Sequence, residues 1–173
     1  MPDPGPTPVP LGAAIDPDVD LHLPSGRREW SSHRWVLPVI AAGGMVGATA
    51  RYLLSTAYPT APASVPWATF TVNATGCLLI GVLMVFVVEV GGTHPLLRPF
   101  LGVGVLGGYT TFSTYTVETL GLLRHGAPVA AAGYLLLTAL AALVAVTAGA
   151  VATRAAIALV HRLRHRTDRE ARR

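Results

Sequence analysis

Charge is what this sequence most lacks. Asp, Glu, Lys and Arg make up 13% of its 173 residues, against roughly 25% in soluble domains, and the mean hydropathy is +0.51. An ordinary soluble domain is excluded. The one cysteine, Cys77, lies in an apolar run, so neither a disulfide framework nor a zinc site can be built within one chain. Lysine is absent, and the net charge of +4 is carried by arginines concentrated towards the chain ends. Placed so, it reads as anchoring to a membrane surface and not as a nucleic-acid footprint. No nucleophile elbow and no phosphate loop is present. No signal peptide is evident, because Leu11, Ile15, Val19, Leu21 and Leu23 are scattered among Asp and Pro. His94, His125, His161 and His165 are spread over loops and tails, and Glu89 and Glu118 fall towards the ends of apolar segments. Neither a metal cluster nor a buried carboxylate pair follows from them, and enzyme chemistry has no carrier.

What remains is apolar length. Four windows without a charged residue each approach the ~20 residues needed to cross ~30 Å of hydrocarbon. The pattern predicts an all-α membrane protein with four transmembrane helices, over about 35–57, 67–90, 96–123 and 129–153. Residues 1–34, rich in Pro, Asp and Gly, bury too little to offset chain entropy and read as a disordered tail. Residues 154–173 form a basic tail, and both tails are expected in the cytoplasm.

The polar residues inside these segments are few and uncharged. Asn73 sits deep in the second, where an amide is costly unless it finds partners. Its bland role is an interhelical hydrogen bond, and its functional role is a donor lining a polar route. Thr69, Thr71 and Thr75 can bond back to carbonyls of their own helix. The third segment contains GVGVLGGYTTFSTYTVE, in which Gly107 and Gly108 precede Tyr109, Thr110, Thr111 and Ser113. Glycines remove side-chain restraint and hydroxyls compete for backbone hydrogen bonds, so the helix is expected to break at 107–111. Membrane helices break only where protein or water satisfies the freed groups, often at ion or substrate sites. Thr114 and the rings of Phe112 and Tyr115 follow. On the fourth segment Tyr134 and Thr138 share a face. Gly43, Gly44 and Gly47 make a small-residue face on the first segment, which lets another helix approach closely. Arg51, near that segment's far end, either snorkels to the interface or attracts anions. Neutral donors and positive ring edges suit a small hydrated anion, and freed carbonyls suit a cation.

Three stretches, GGMVGATARY, TFTVNATGCLLIG and GVLGGYTTFSTYTVE, arrive in order and resemble the Fluc (CrcB) fluoride channels over about 35–151. The resemblance implies four-helix subunits paired as an antiparallel dimer, with two fluoride pathways and a central sodium ion. By motif position, sodium would be held by the backbone carbonyls of Gly107 and Thr110. The fluoride pathway would include Asn73, Phe112, Tyr115, Thr111, Ser113, Thr114, Tyr134, Thr138 and Arg51. Tyr115 stands where the family usually has a second phenylalanine. The implied function is passive export of fluoride, with fluoride and membrane lipid as partners and no nucleotide.

Orientation follows the arginine imbalance around short loops and helix ends. With four spans, one side carries Arg27, Arg28, Arg34, Arg98, Arg154, Arg162, Arg164 and Arg166, and the other Arg124 and Arg51. Such a bias fixes one orientation, so an antiparallel partner would be an oppositely oriented homologue; weak bias would instead permit dimerisation with a second copy. Two rivals stand beside the channel. A small multidrug exporter would need an intramembrane carboxylate, absent from the first segment, and a membrane scaffold would use the glycines and threonines only for packing.

Overall fold

The structure is a computed structural model that describes residues 35–61, 63–90 and 94–171; the segment 1–34, with Arg27, Arg28 and Arg34, lies outside the described residues. The described elements are all helical. Helix α1 spans Val36–Ala57 and α2 spans Trp67–Val85, continuing in wider π-type turns over Phe86–Val90. Helix α3 runs through π-type turns at Arg98–Leu106 into one α-turn at Gly107–Tyr109. Helix α4 is Ser113–Arg124 and α5 is Pro128–Ala171. Among the described residues, α1, α2 and α5 are each long and apolar enough to cross a membrane, with mean hydropathies of 1.4, 1.8 and 2.4.

Over 96–123, where a third span was expected, the structure has two shorter helical pieces. The first stops at Tyr109, Thr110 is extended (φ −75°, ψ 156°), and helical geometry resumes at Phe112 and Ser113. The break therefore begins at Thr110, inside the expected 107–111 but three residues after its start. Gly107 and Gly108 stay helical; the lack of a side chain serves packing at Gly108, where a Cβ would lie 2.5 Å from the Gly44 carbonyl oxygen, whereas a Cβ on Gly107 would make only an ordinary contact. The last helix also differs from expectation, running past 153 to Ala171. Beyond Gly149 that stretch contains neither glycine nor proline, and Ala, Leu and Arg are strong helix formers.

Two side-by-side pairs organise the chain, each held by backbone-to-backbone approach. Helix α1 packs along α3, where a Cβ on Gly47 would fall on the Val105 carbonyl, and α2 packs along α5, where one on Gly81 would fall on the Val146 carbonyl. Within each pair the helices run in the same direction. Gly104 meets Ile40 and Gly108 meets Gly44 in the first; Thr69 reaches Tyr134 through Glu118, and Glu89 pairs with Arg154, in the second. The interior is small, built on Val72, Val85, Leu122, Ala131 and Tyr134. Large apolar side chains such as Met45, Leu136, Leu140, Leu143 and Val144 are exposed. In water such a surface would be an aggregation liability; against lipid tails it is matched to its solvent.

Small-residue contact makes a direct prediction. Gly47→Ala forces a methyl into the Val105 carbonyl and should cost about 1–3 kcal/mol through overpacking. Gly121→Ala, at a position with nothing within 4 Å, should stay within about 0.5 kcal/mol of the parent. Unfolding midpoints of the purified variants in detergent check the difference, and equal midpoints would refute the packing account.

Candidate ion pathway at the helix break

Backbone groups released by the break need partners, and one side chain supplies them. Asn73, buried at the middle of α2, receives the Thr111 N–H on Oδ1 at 2.9 Å and donates from Nδ2 to the Thr111 carbonyl at 2.9 Å. The amide thus takes the place of a neighbouring peptide. In a continuous helix the Thr111 N–H would go to Gly107 and the Thr114 N–H to Thr110. Instead, the Thr114 N–H bonds the Thr111 hydroxyl at 3.2 Å. The Gly107 and Thr110 carbonyls are thereby released from the ladder together.

Hydroxyls crowd the same turn. Thr111 Oγ1 donates to Thr114 Oγ1 at 3.0 Å and lies 3.5 Å from Ser113 Oγ. Thr110 donates both its N–H and its hydroxyl to the Leu106 carbonyl, at 3.0 and 2.9 Å, which caps the end of α3. Tyr109 Oη and Thr75 Oγ1 share a 3.0 Å hydrogen bond. Gly76 makes room here, since a Cβ on it would strike the Thr110 methyl.

A second polar cluster lies along the start of α4. Thr69 donates to Glu118 Oε1 at 2.9 Å and Tyr134 to Oε2 at 2.8 Å, so the carboxylate joins α2, α4 and α5. Sequence reasoning passed over Glu118 as an end-of-segment residue and gave Thr69 a bond to its own backbone. The available signal was spacing: Glu118 follows Thr114 by four residues and Tyr115 by three, on one helix face. Glu118 also lines a cavity of about 150 Å³ with Thr60, Ser64 and His125.

The aromatic residues connect the two clusters. Phe112 lies 5.9 Å from Tyr115, centroid to centroid, and Tyr115 lies 5.2 Å from Tyr134 in an edge-on arrangement. Tyr115 and Tyr134 are buried, whereas Phe112 is 79% exposed. The Tyr115 hydroxyl donates to the Leu135 carbonyl of α5. Thr138, 5% exposed, carries a hydroxyl with no hydrogen-bond partner among the described residues. Asn73, Thr111, Ser113 and Thr114 therefore come together, and Phe112, Tyr115 and Tyr134 form a chain beside them. Arg51 is half-buried on α1 and enters none of these hydrogen bonds.

Comparison with known proteins gives a consistent set of relatives. Residues 38–150 match the family model described as CrcB-like protein, Camphor Resistance (CrcB). The chain is 59% identical over 119 residues to fluoride-specific ion channel FluC 2 of Nocardia farcinica, covering 69% of this chain and 85% of that protein. It is 49% identical over 128 residues to fluoride-specific ion channel FluC 1 of Streptomyces coelicolor, covering 74% and 83%. It is 48% identical over 118 residues to fluoride-specific ion channel FluC 2 of Thermobifida fusca, covering 68% and 87%.

The Asn73 pairing sets an order of stabilities. Asn73→Leu leaves two buried backbone groups unpaired at about 1–3 kcal/mol each. Unfolding in detergent should place Asn73→Leu below the parent; indistinguishable midpoints would show that the pairing contributes nothing.

Proposed function

The chain belongs to the CrcB-like family, and from that premise we propose that it is a passive, fluoride-selective channel of the cell membrane that exports fluoride and relieves its toxicity. The observation that carries this reading is the interrupted helix held open by Asn73. Hydrogen fluoride enters cells as a neutral weak acid and ionises in the less acidic cytosol, where the anion is trapped. An inside-negative potential then drives the anion out through any selective pathway. No bond is made or broken, and the protein acts as a channel and not as an enzyme.

In this reading α3 and α4 together form one interrupted crossing, which with α1, α2 and α5 makes four. The parallel runs of α1 with α3 and of α2 with α5 support that alternation. Fluoride would pass Asn73, Phe112, Thr111, Ser113, Thr114, Tyr115, Tyr134 and Thr138, exchanging water for hydroxyl, amide and ring-edge donors, with Arg51 drawing anions towards the entrance. The exposure of Phe112 supports a route completed by a second, antiparallel subunit. Carbonyl oxygens of Gly107 and Thr110 fit a hard cation such as sodium, because both are freed from the helix ladder and neither carries a competing charge. The ion would neutralise converging carbonyl dipoles where the two subunits meet.

The scaffold and exporter readings have less support. Packing glycines alone do not require Asn73 to replace a peptide partner, and the Glu118 carboxylate is tied to hydroxyls of two other helices.

Two measurements test the proposal. Liposomes holding the purified full chain should release fluoride down its gradient at rates at least about 100-fold above those for chloride, a gap of about 2.7 kcal/mol. Equal rates, or none for either anion, would overturn it. For orientation, the arginine distribution supports cytoplasmic termini and, with them, an oppositely inserted homologue over a second copy as the partner. Reporters fused to the C-terminus should then signal from the cytoplasmic side alone. Comparable signal from both sides would mean dual insertion and a dimer of identical chains.

A further inference from the structure

Helix α5 carries apolar side chains past the length a membrane needs. A crossing takes about 20 residues, and Arg154 already lies ~39 Å along the helix from Pro128. Leu159 and Val160, more than a turn further on, are 57% and 49% exposed. Beside them, between α5 and the end of α2, is a groove of about 870 Å³ lined by Phe86, Glu89, Arg154, Ile157, Val160 and His161. Glu89 and Arg154 pair there at 2.6 Å. An apolar groove with a charged rim at this level calls for an occupant that covers its apolar part.

Lipid and a second copy both fit it poorly. Helix α5 is unbroken to Ala171, and beyond Gly149 it has neither glycine nor proline, the usual causes of a kink. Its end therefore continues the line of the crossing, whereas a lipid-bound amphipathic helix lies in the plane of the headgroups. Glu89 also opposes an anionic headgroup at the groove. Residues 154–173 contain seven arginines against Asp168 and Glu170, so the same stretch of a second copy is repelled. What the groove favours is an acidic segment with apolar side chains.

The chain's own first residues have that chemistry. Residues 1–26 contain Asp3, Asp16, Asp18 and Asp20 and neither Arg nor Lys, and Leu11, Ile15, Val19 and Leu23 recur among them at every fourth position. They also join the bundle at the right end. Helix α1 begins beside the start of α3, where Gly43 meets Phe100, and α2, which precedes α3, ends at Glu89 against Arg154. The stretch from Leu23 to Trp35 reaches about 40 Å when extended, more than the width of two packed helices at 8–10 Å each. We propose that residues 11–23 dock in this groove, their apolar side chains covering Ile157 and Val160 and their aspartates meeting the arginines of α5. The contact ties the two ends of the chain together on one side of the membrane, and it stands whether or not the channel reading does.

The test uses the full chain in lipid nanodiscs, which leave both membrane faces open, with Cys77→Ala and Val160→Cys giving a single thiol. Its labelling by a membrane-impermeant maleimide should be slow. Asp16→Asn, Asp18→Asn and Asp20→Asn together should speed it about tenfold, a shift of about 1.4 kcal/mol in docking. Adding Val19→Cys should give, on oxidation, a disulfide at the mass of one chain. A labelling rate that ignores the aspartates overturns the proposal; if that rate falls when phosphatidylglycerol replaces phosphatidylcholine, lipid is the occupant instead. A disulfide formed only between two chains overturns it as well, and assigns the groove to a second copy. Should Cys77→Ala fail to assemble, Cys77 is kept and labelling at position 160 is read by peptide mass, with the same outcomes.

Discussion

A helix that stops inside a membrane must have its loose backbone groups met by protein, because hydrocarbon offers no partner. Here that constraint is met by one side chain. Asn73 presents a carbonyl and an amide in the spacing of a peptide group, and Thr111 bonds both. Interhelical hydrogen bonds in membranes average only ~0.6 kcal/mol, since partners are found even before helices assemble. The groups that Asn73 satisfies belong to a residue outside the helices, with no ladder to return to.

The rest of the core is arranged around this pairing. Releasing Thr111 from Gly107 frees one carbonyl, and the Thr111 hydroxyl, by capping Thr114, frees a second at Thr110. Close packing of α1 on α3 brings Gly108 against Gly44 and fixes where α3 ends relative to α2. Around the break, polar groups find partners across helices: Tyr134 and Thr69 on Glu118, Tyr115 on Leu135, Thr75 on Tyr109, with Thr138 left unbonded. The result is a polar seam with little formal charge, buried at Asn73 and Thr111 and exposed at Thr75, Ser113 and Thr114. Such a seam can exchange donors with a hydrated anion without moving the backbone.

Much of this was legible in the sequence. Apolar windows located α1, α2 and the start of α5 closely, because membrane length is a strong constraint, whereas the end of α5 at Ala171 lies well beyond its window. The broken segment was legible too, since glycines beside a hydroxyl cluster are rare in a spanning helix. Its position was not: Gly107 and Gly108 are as compatible with a helix as with a break, and only the contact with Gly44 shows which they serve. Glu118 was missed for a related reason. A carboxylate near a segment end looks solvated until the fold brings Thr69 and Tyr134 to it from 49 and 16 residues away. The bond from Tyr115 to Leu135 lies between helices whose rotation no periodicity fixes.

The central claim, that Asn73 stands in for a peptide and thereby holds the break, is tested most directly at the Thr111 amide. In lipid-reconstituted protein, hydrogen–deuterium exchange at Thr111 should be slow although the residue lies outside any helix. Asn73→Ala should speed it by at least tenfold, matching the roughly 1.4 kcal/mol of a lost hydrogen bond, while the amides of α5 keep their protection. An exchange rate at Thr111 that Asn73→Ala leaves unchanged would contradict the account.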